Sequence, residues 1–248
     1  MATLIRVPGA DFSANALGFL PPVADGLQGW WYFGGTLAQS IRNLAPGGVD
    51  ATATGSPAVS TGHISCIGNS VYLNTSIPET AELTILIALR SFATFANTAN
   101  EVMPLSTYGS NGGAGFWLAK SGASVGPIGI LRAHSFVDNA GAYLQVPASI
   151  TEANLSTWKF ASMTVDDGVG TNVYDQTGGL TAAGTSALAR KIVVPPRTFR
   201  IGSSYNTSFQ GGVDLAFAAI YSRVLTLAER TSVYAAAQIT LARRGITV

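Results

Sequence analysis

FRIGSSYNTSFQGGVDLAFAAIYSRVLTLAER, residues 199–230, changes hydrophobic period part-way along, and that change decides the fold class. Val213, Leu215, Phe217, Ala219 and Tyr221 recur at every second position, which places them on one face of a strand, because successive side chains of extended backbone point to opposite sides. After Ser222 the period lengthens. Thr226-Leu227-Ala228-Glu229 has the form of a capping box, in which the threonine oxygen takes a free amide and the glutamate reaches back, so a helix is expected over about 226–243. Leu227, Tyr234, Ala237 and Leu241 form its expected apolar stripe, Arg243 and Arg244 complement the carboxyl-end dipole, and Gly245 can end it.

Working outward, residues 26–222 are short β-branched and aromatic runs punctuated by Gly, Asn and Asp. The expected strands are GWWYF, ISCIG, VYLNT, LTILIALRSF, GFWLAK, IGILRAH, AYLQV, WKFASMTV, NVYDQ, FRIGS and VDLAFAAIY. Asn111-Gly112-Gly113, Asp167-Gly168, Gly178-Gly179 and Gly211-Gly212 supply turn chemistry between them. Such spacing predicts an all-β sandwich of antiparallel strands closed by one C-terminal helix. Residues 1–25 read as an arm, mixing Phe12, Phe19 and Leu20 with Pro8, Pro21 and Pro22 and showing no period. Two readings of it stand: a peptide that docks on a partner through Phe12, Phe19 and Leu20, or an irregular lead-in folded onto its own domain.

The 248 residues suffice for one large sandwich, and 11% charged against 47% hydrophobic residues predicts a folded chain. Mean hydropathy is +0.31. The longest strongly apolar run, LTILIAL at 83–89, is far short of the roughly 20 residues a bilayer span needs, so no membrane partner is expected. Net charge of +1 supplies no field for nucleic acid. A single Cys66 and the lack of a charged-then-apolar leader predict synthesis in a cytosol.

Three segments, taken in order, carry a resemblance. GLQGWWYFGG (26–35) is similar to an opening strand with a Trp and a Phe two apart, here Trp31 and Phe33. WKFASMTVDDGVGTNVYDQTGG (158–179) resembles a hairpin running from a tryptophan strand to a tyrosine strand. The 199–230 stretch carries iG, then fxGxvdxvxiY, then a helix start. Together they resemble a laminin G-like domain of the concanavalin A-like lectin and glucanase superfamily. That resemblance implies a jelly-roll sandwich of two antiparallel sheets with Trp31 and Phe33 pointing inward. The family's small acidic calcium cluster is not evident here, and the final helix is longer than its usual turn. A domain of this kind behind an apolar arm also resembles virion proteins of tailed bacteriophages, which implies a virion location, docking on other virion proteins or symmetry mates, and a homo-oligomer.

Catalytic patterns are thin. Glycoside hydrolysis needs paired carboxylates on one face, and no E-x-D-x-x-E occurs; Glu79 and Glu82 are spaced for a turn and Asp166-Asp167 point apart. Gly122-Ala123-Ser124-Val125-Gly126 matches a nucleophile elbow, but Pro127 and a β run follow where a helix is required. No enzyme is expected. His63, Cys66 and His134 lack zinc spacing, and no cofactor is expected; calcium is the one candidate ion, through Asp166, Asp167, Asn172 and Asp175. Sugar binding needs an exposed ring with polar groups beside it. Tyr108 with Asn111, His134 with Asp138 and Asn139, Tyr143 with Gln145, and Tyr205 with Asn206 meet that requirement if they lie on loops. Trp30 and Tyr32 are expected to cover the outer face of an edge strand, and Trp117 and Trp158 to fill the interior. Two functions follow as expectations: a non-enzymatic surface protein of a phage particle, and a module that recognises host surface carbohydrate.

Overall fold

Strand β15 (Gly212–Tyr221) is the axis of the first sheet of the computed structural model, which describes residues 19–122 and 128–248. Before it in the chain come β1 (Leu27–Tyr32), β2 (Thr52–Thr54), β3 (Ala58–Val59), β4 (Ile64–Ile67), β5 (Tyr72–Pro78), β6 (Leu83–Ser91) and β7 (Leu105–Ser106). Then follow β8 (Gly115–Lys120), β9 (Gly129–Asn139), β10 (Ala142–Glu152), β11 (Lys159–Asp166), β12 (Gly170–Asp175), β13 (Leu180–Thr185) and β14 (Thr198–Ile201). The helices are α1 (Leu37–Ile41) and α2 (Leu227–Ala242).

The first sheet runs β13-β12-β11-β6-β15-β4-β3, with β1 added to the second half of β15 beyond β4. The second runs β10-β9-β8-β7-β14-β5-β2. All pairings are antiparallel, as the turn chemistry predicts. Between the sheets lies a core that includes Trp31, Phe33, Leu73, Ile87, Phe116 and Phe199, so Trp31 and Phe33 point inward. Each fully buried side chain of this size contributes roughly 1.5–3 kcal/mol.

A second core lies on the far face of the first sheet, where Trp30, Leu86, Phe160, Phe217 and Tyr221 pack beneath Val233, Ala237 and Leu241 of α2. This explains LTILIAL. Every residue from Leu83 to Leu89 is buried because β6 has a sheet on one side and a helix on the other. It also corrects the expectation for Trp30, which is wholly buried under α2 rather than on an outer face.

The alternation expected along 213–221 is interrupted. Register shifts between Leu215 and Phe217, so a bulge at Ala216 leaves Val213 and Leu215 in the inter-sheet core and sends Phe217, Ala219 and Tyr221 to the helix side. The capping box of α2 forms as expected from Thr226 and Glu229. Its stripe differs: Leu227 is 71% exposed, and Arg230, Val233, Ala237 and Leu241 are the buried positions. Arg230 takes the inward place because its guanidinium lies 4.0 Å over the Tyr174 ring and donates to the Leu225 carbonyl at 2.7 Å. Arg243 caps the helix and Arg244 turns away from its dipole to the Phe33 carbonyl at 2.6 Å.

The lead-in is stitched to its own domain from residue 19 onward. Phe19 lies 5.0 Å from Trp30, and the Tyr221 hydroxyl donates to the Val23 carbonyl at 3.2 Å, while Leu20 is 87% exposed. Phe12 and the rest of residues 1–18, and Ser124 of the elbow match, lie outside the described residues.

Candidate functional site

Phe116, Leu118, Leu131 and Ala133 point into the inter-sheet core, so period two forces Trp117, Arg132, His134 and Phe136 onto the opposite, outer face of the second sheet. Trp117 is therefore half-buried outside the sandwich and not in its interior. Its indole nitrogen donates to Glu101 at 2.9 Å, and Arg132 lies 4.6 Å over its ring while donating to Ser149 at 3.0 Å. Trp158, also expected inside, is half-buried beneath Arg90 at 4.8 Å.

Three segments bring Tyr108, Asn111, Tyr143 and Tyr205 to one patch on this face. The turn between β7 and β8 carries Tyr108 and Asn111. Tyr143 enters from β10 directly against that turn: Gly112 has φ +116°, and a Cβ there would sit 2.8 Å from the Tyr143 ring. The loop after β14 brings Tyr205, whose amide donates to the Tyr108 carbonyl at 2.7 Å. Arg197 ties the pieces together by donating to the Asn111 side chain and, at 3.1 Å, to the Gly112 carbonyl, with its guanidinium 5.4 Å over the Tyr205 ring. Arg200 covers the same ring at 3.8 Å, and Lys191 lies 4.8 Å over Tyr143. Tyr108, Tyr143 and Tyr205 are each half-buried, and Asn111 is exposed.

His134 is corrected. It lies in the middle of β9 and is wholly buried, edge-on to Tyr108 at 5.1 Å and Trp117 at 6.4 Å, so it supports the patch from beneath and cannot touch a ligand above it. Burial first, then Arg132 and Arg190, pushes its pKa down to about 3. Asp138 and Asn139, its expected partners, are exposed at the β9–β10 turn, where a hydrogen bond from Lys191 at 2.9 Å lowers the Asp138 pKa. Arg197, Lys191 and Trp117 complete the patch, with the buried Phe209 packed edge-on against Tyr108 at 5.8 Å and Trp117 at 5.3 Å, and none of the four was among the expected contacts. For Trp117 alone, a signal existed: it sits between two inward neighbours in GFWLAK.

The two acids at the patch are engaged, Glu101 by the Trp117 indole and Asp138 by Lys191, and a close pair of carboxylates lies elsewhere. Glu152 and Asp175 converge on the Lys159 ammonium at 2.7 and 3.3 Å, and both are buried to 2% exposure or less. Burial holds Glu152 above the usual carboxylate range. The expected calcium group is dispersed: Asp166 and Asp167 sit at one end of the β11–β12 hairpin, Asp175 at the other, and Asn172 donates to Thr164 at 3.2 Å. Among the described residues no three His, Cys, Asp or Glu side chains group as a metal site, and no helix is long and apolar enough to cross a membrane. Cys66 is buried, with its pKa pushed up to about 12 by burial and Asp214.

No protein-family model matches this chain, and no curated protein does. Solved structures match in shape. The receptor binding domain of botulinum neurotoxin C/D mosaic serotype superposes with TM-score 0.62 at 11% identity, covering 86% of this chain and 52% of that one. The fold is a jelly-roll sandwich of two antiparallel sheets with one C-terminal helix. The binding domain of botulinum neurotoxin DC in complex with SialylT gives TM-score 0.59 at 9% identity over 88% of this chain and 53% of that one. A structure of botulinum neurotoxin type C, whose cell entry depends on interaction with two ganglioside molecules, gives 0.56 at 8% identity over 86% and 52%. The sandwich thus spans about half the length of the neurotoxin chains it resembles.

Proposed function

We propose that this chain is a non-enzymatic carbohydrate-binding sandwich of the laminin G-like kind, displayed on a bacteriophage particle, with the patch around the 109–112 turn as its sugar-reading surface. One observation carries the reading: Tyr108, Asn111, Tyr143 and Tyr205 converge from separate segments on one face. Half-exposed rings there supply apolar edges, and Asn111 and Arg197 supply directed polar groups, the mixture that fixes a sugar's orientation. The guanidinium and ammonium groups over the tyrosines hold the ring planes before a ligand arrives, which lowers the ordering cost of binding. A hydrolytic reading lacks support, because Glu152 and Asp175 are neutralised by Lys159 and closed to substrate. The ganglioside and SialylT contacts of the neurotoxin domains support sugar as the ligand class.

Bacterial polysaccharide and glycan arrays test this. Binding is expected from the wild type and is expected to be lost in Tyr205→Ala and Asn111→Ala; silence on every array, or binding that both variants retain, overturns it. The virion placement rests on the apolar, proline-punctuated character of the arm and on the exposed Leu20 at its described end. Deleting residues 2–18, which spares Phe19, should abolish particle incorporation through another virion protein or a symmetry mate. Unchanged incorporation would remove the docking role.

A further inference from the structure

We infer that a cleft at the carboxyl end of α2 is a second ligand site, specific for a sugar residue that carries a carboxylate, such as a uronic or sialic acid. The cleft is a cavity of about 410 Å³ lined by Tyr32, Gln39, Arg42, Leu44, Thr61 and Arg244, with the backbone of Gly34 and Gly35. It shares no residue with the tyrosine patch. It rests on the carbohydrate reading only for the class of ligand.

Two guanidinium groups line the cleft and no acid does. Among the described residues neither Arg42 nor Arg244 makes an ion pair. Asp50, close in sequence to Arg42, has an oxygen turned to the Asn43 amide at 2.8 Å. Arg244 is held in place, one nitrogen on the Phe33 carbonyl at 2.6 Å and its plane 5.6 Å from the Tyr32 ring. A planar guanidinium fixed in this way presents its remaining donors to a carboxylate at little entropic cost. Arg42 is exposed at the rim and free to close on the same anion.

The remaining wall selects a sugar over a bare anion. Tyr32 is braced from behind by Phe217 at 5.3 Å and Trp30 at 5.9 Å, and with Leu44 it forms an apolar surface for the C–H face of a pyranose. Gln39 and Thr61 are exposed and can meet hydroxyl groups. Past Thr61 and Arg244, which line both, a second hollow of about 280 Å³ is walled by His63, Arg90 and Trp158, giving room for the next residue of an acidic chain. Asp214, behind Arg90, is engaged by it at 2.8 Å and by Ser65 at 2.6 Å, so it does not oppose the anion as a free charge.

Titration calorimetry and ligand-observed NMR on the full chain, with glucuronic acid, sialyllactose, lactose and inorganic sulfate as probes, test the site. Both acidic sugars are expected to bind, and lactose and sulfate to bind at least about tenfold more weakly. Arg42→Gln should weaken the acidic sugars by roughly tenfold, the scale of one charge-assisted contact. Arg244→Gln should do the same, with its melting temperature checked because it also anchors Phe33. Tyr205→Ala should leave acidic-sugar binding at the cleft intact, so loss of the patch and loss of the cleft are separable. Wild-type affinity in Arg42→Gln, sulfate binding as tight as the sugars, or no acidic-sugar binding overturns the assignment.

Discussion

His134 stands edge-on beneath Tyr108, ring centroids 5.1 Å apart and planes at 87°, and both imidazole nitrogens are buried without a hydrogen-bond partner among the described residues. Only the neutral ring is tolerable there, so the folded protein holds its pKa near about 3 while the unfolded chain returns it toward 6.5. The unfolded state then binds the extra proton over that window, and stability is full above pH 6.5 and falls as pH drops through it, at most on the order of 1 kcal/mol per pH unit. His134→Leu should match or exceed wild-type stability at pH 7 and show a flatter decline toward pH 4.5. Urea midpoints at the two pH values check it; parallel declines would show that the imidazole is not the group responsible.

The Arg190 guanidinium is paired with Glu79, and the side chains are only 2% and 1% exposed, while Thr107 donates to the other carboxylate oxygen at 2.5 Å. Removing one partner strands a buried charge, so Arg190→Met should cost about 3–5 kcal/mol. Adding Glu79→Gln to it should recover a large part of that loss. Denaturation of the single and double variants measures the difference.

Deleting Ala216 removes the extra residue of the bulge and makes Leu215 and Phe217 neighbours, so strict alternation through β15 keeps Val213 and Leu215 on the inter-sheet face and Phe217, Ala219 and Tyr221 on the helix face. Both halves keep their buried sets, so the deletion is expected to stay soluble with a lower melting temperature, and insoluble protein would show that the bulge itself is required. Ala216→Gly keeps the count and should stay soluble with a modestly lower melting temperature.

Thr226→Ala breaks the reciprocal cap in which the threonine takes the Glu229 amide at 3.3 Å and Glu229 takes the Thr226 amide at 2.8 Å. The expected loss is about 1 kcal/mol, read as a lower thermal midpoint. Arg197→Ala should behave oppositely: little change in melting temperature, but weaker glycan binding, because Asn111 and Tyr205 lose their common brace.

The strand pattern, the turns and the capped helix were legible in the amino-acid order because they depend on neighbours a few residues apart. β2, β3, β7 and β13 were not expected, being short or built of Thr, Ala and Gly at an edge, where pairing and not apolar period creates the strand. His134 and Trp117 were placed on the wrong side of the solvent boundary, since residue type does not say which face of a strand is covered.

By itself the order of residues determined that this chain alternates inward and outward side chains between turns and ends in a helix, and it named the tyrosines and asparagine that can meet a sugar. The tertiary structure alone decided that α2 covers the far face of the first sheet, that Ala216 switches faces within one strand, and that Tyr108, Asn111, Tyr143 and Tyr205 meet. Periodicity is local, whereas burial and convergence depend on which distant segment arrives on each face.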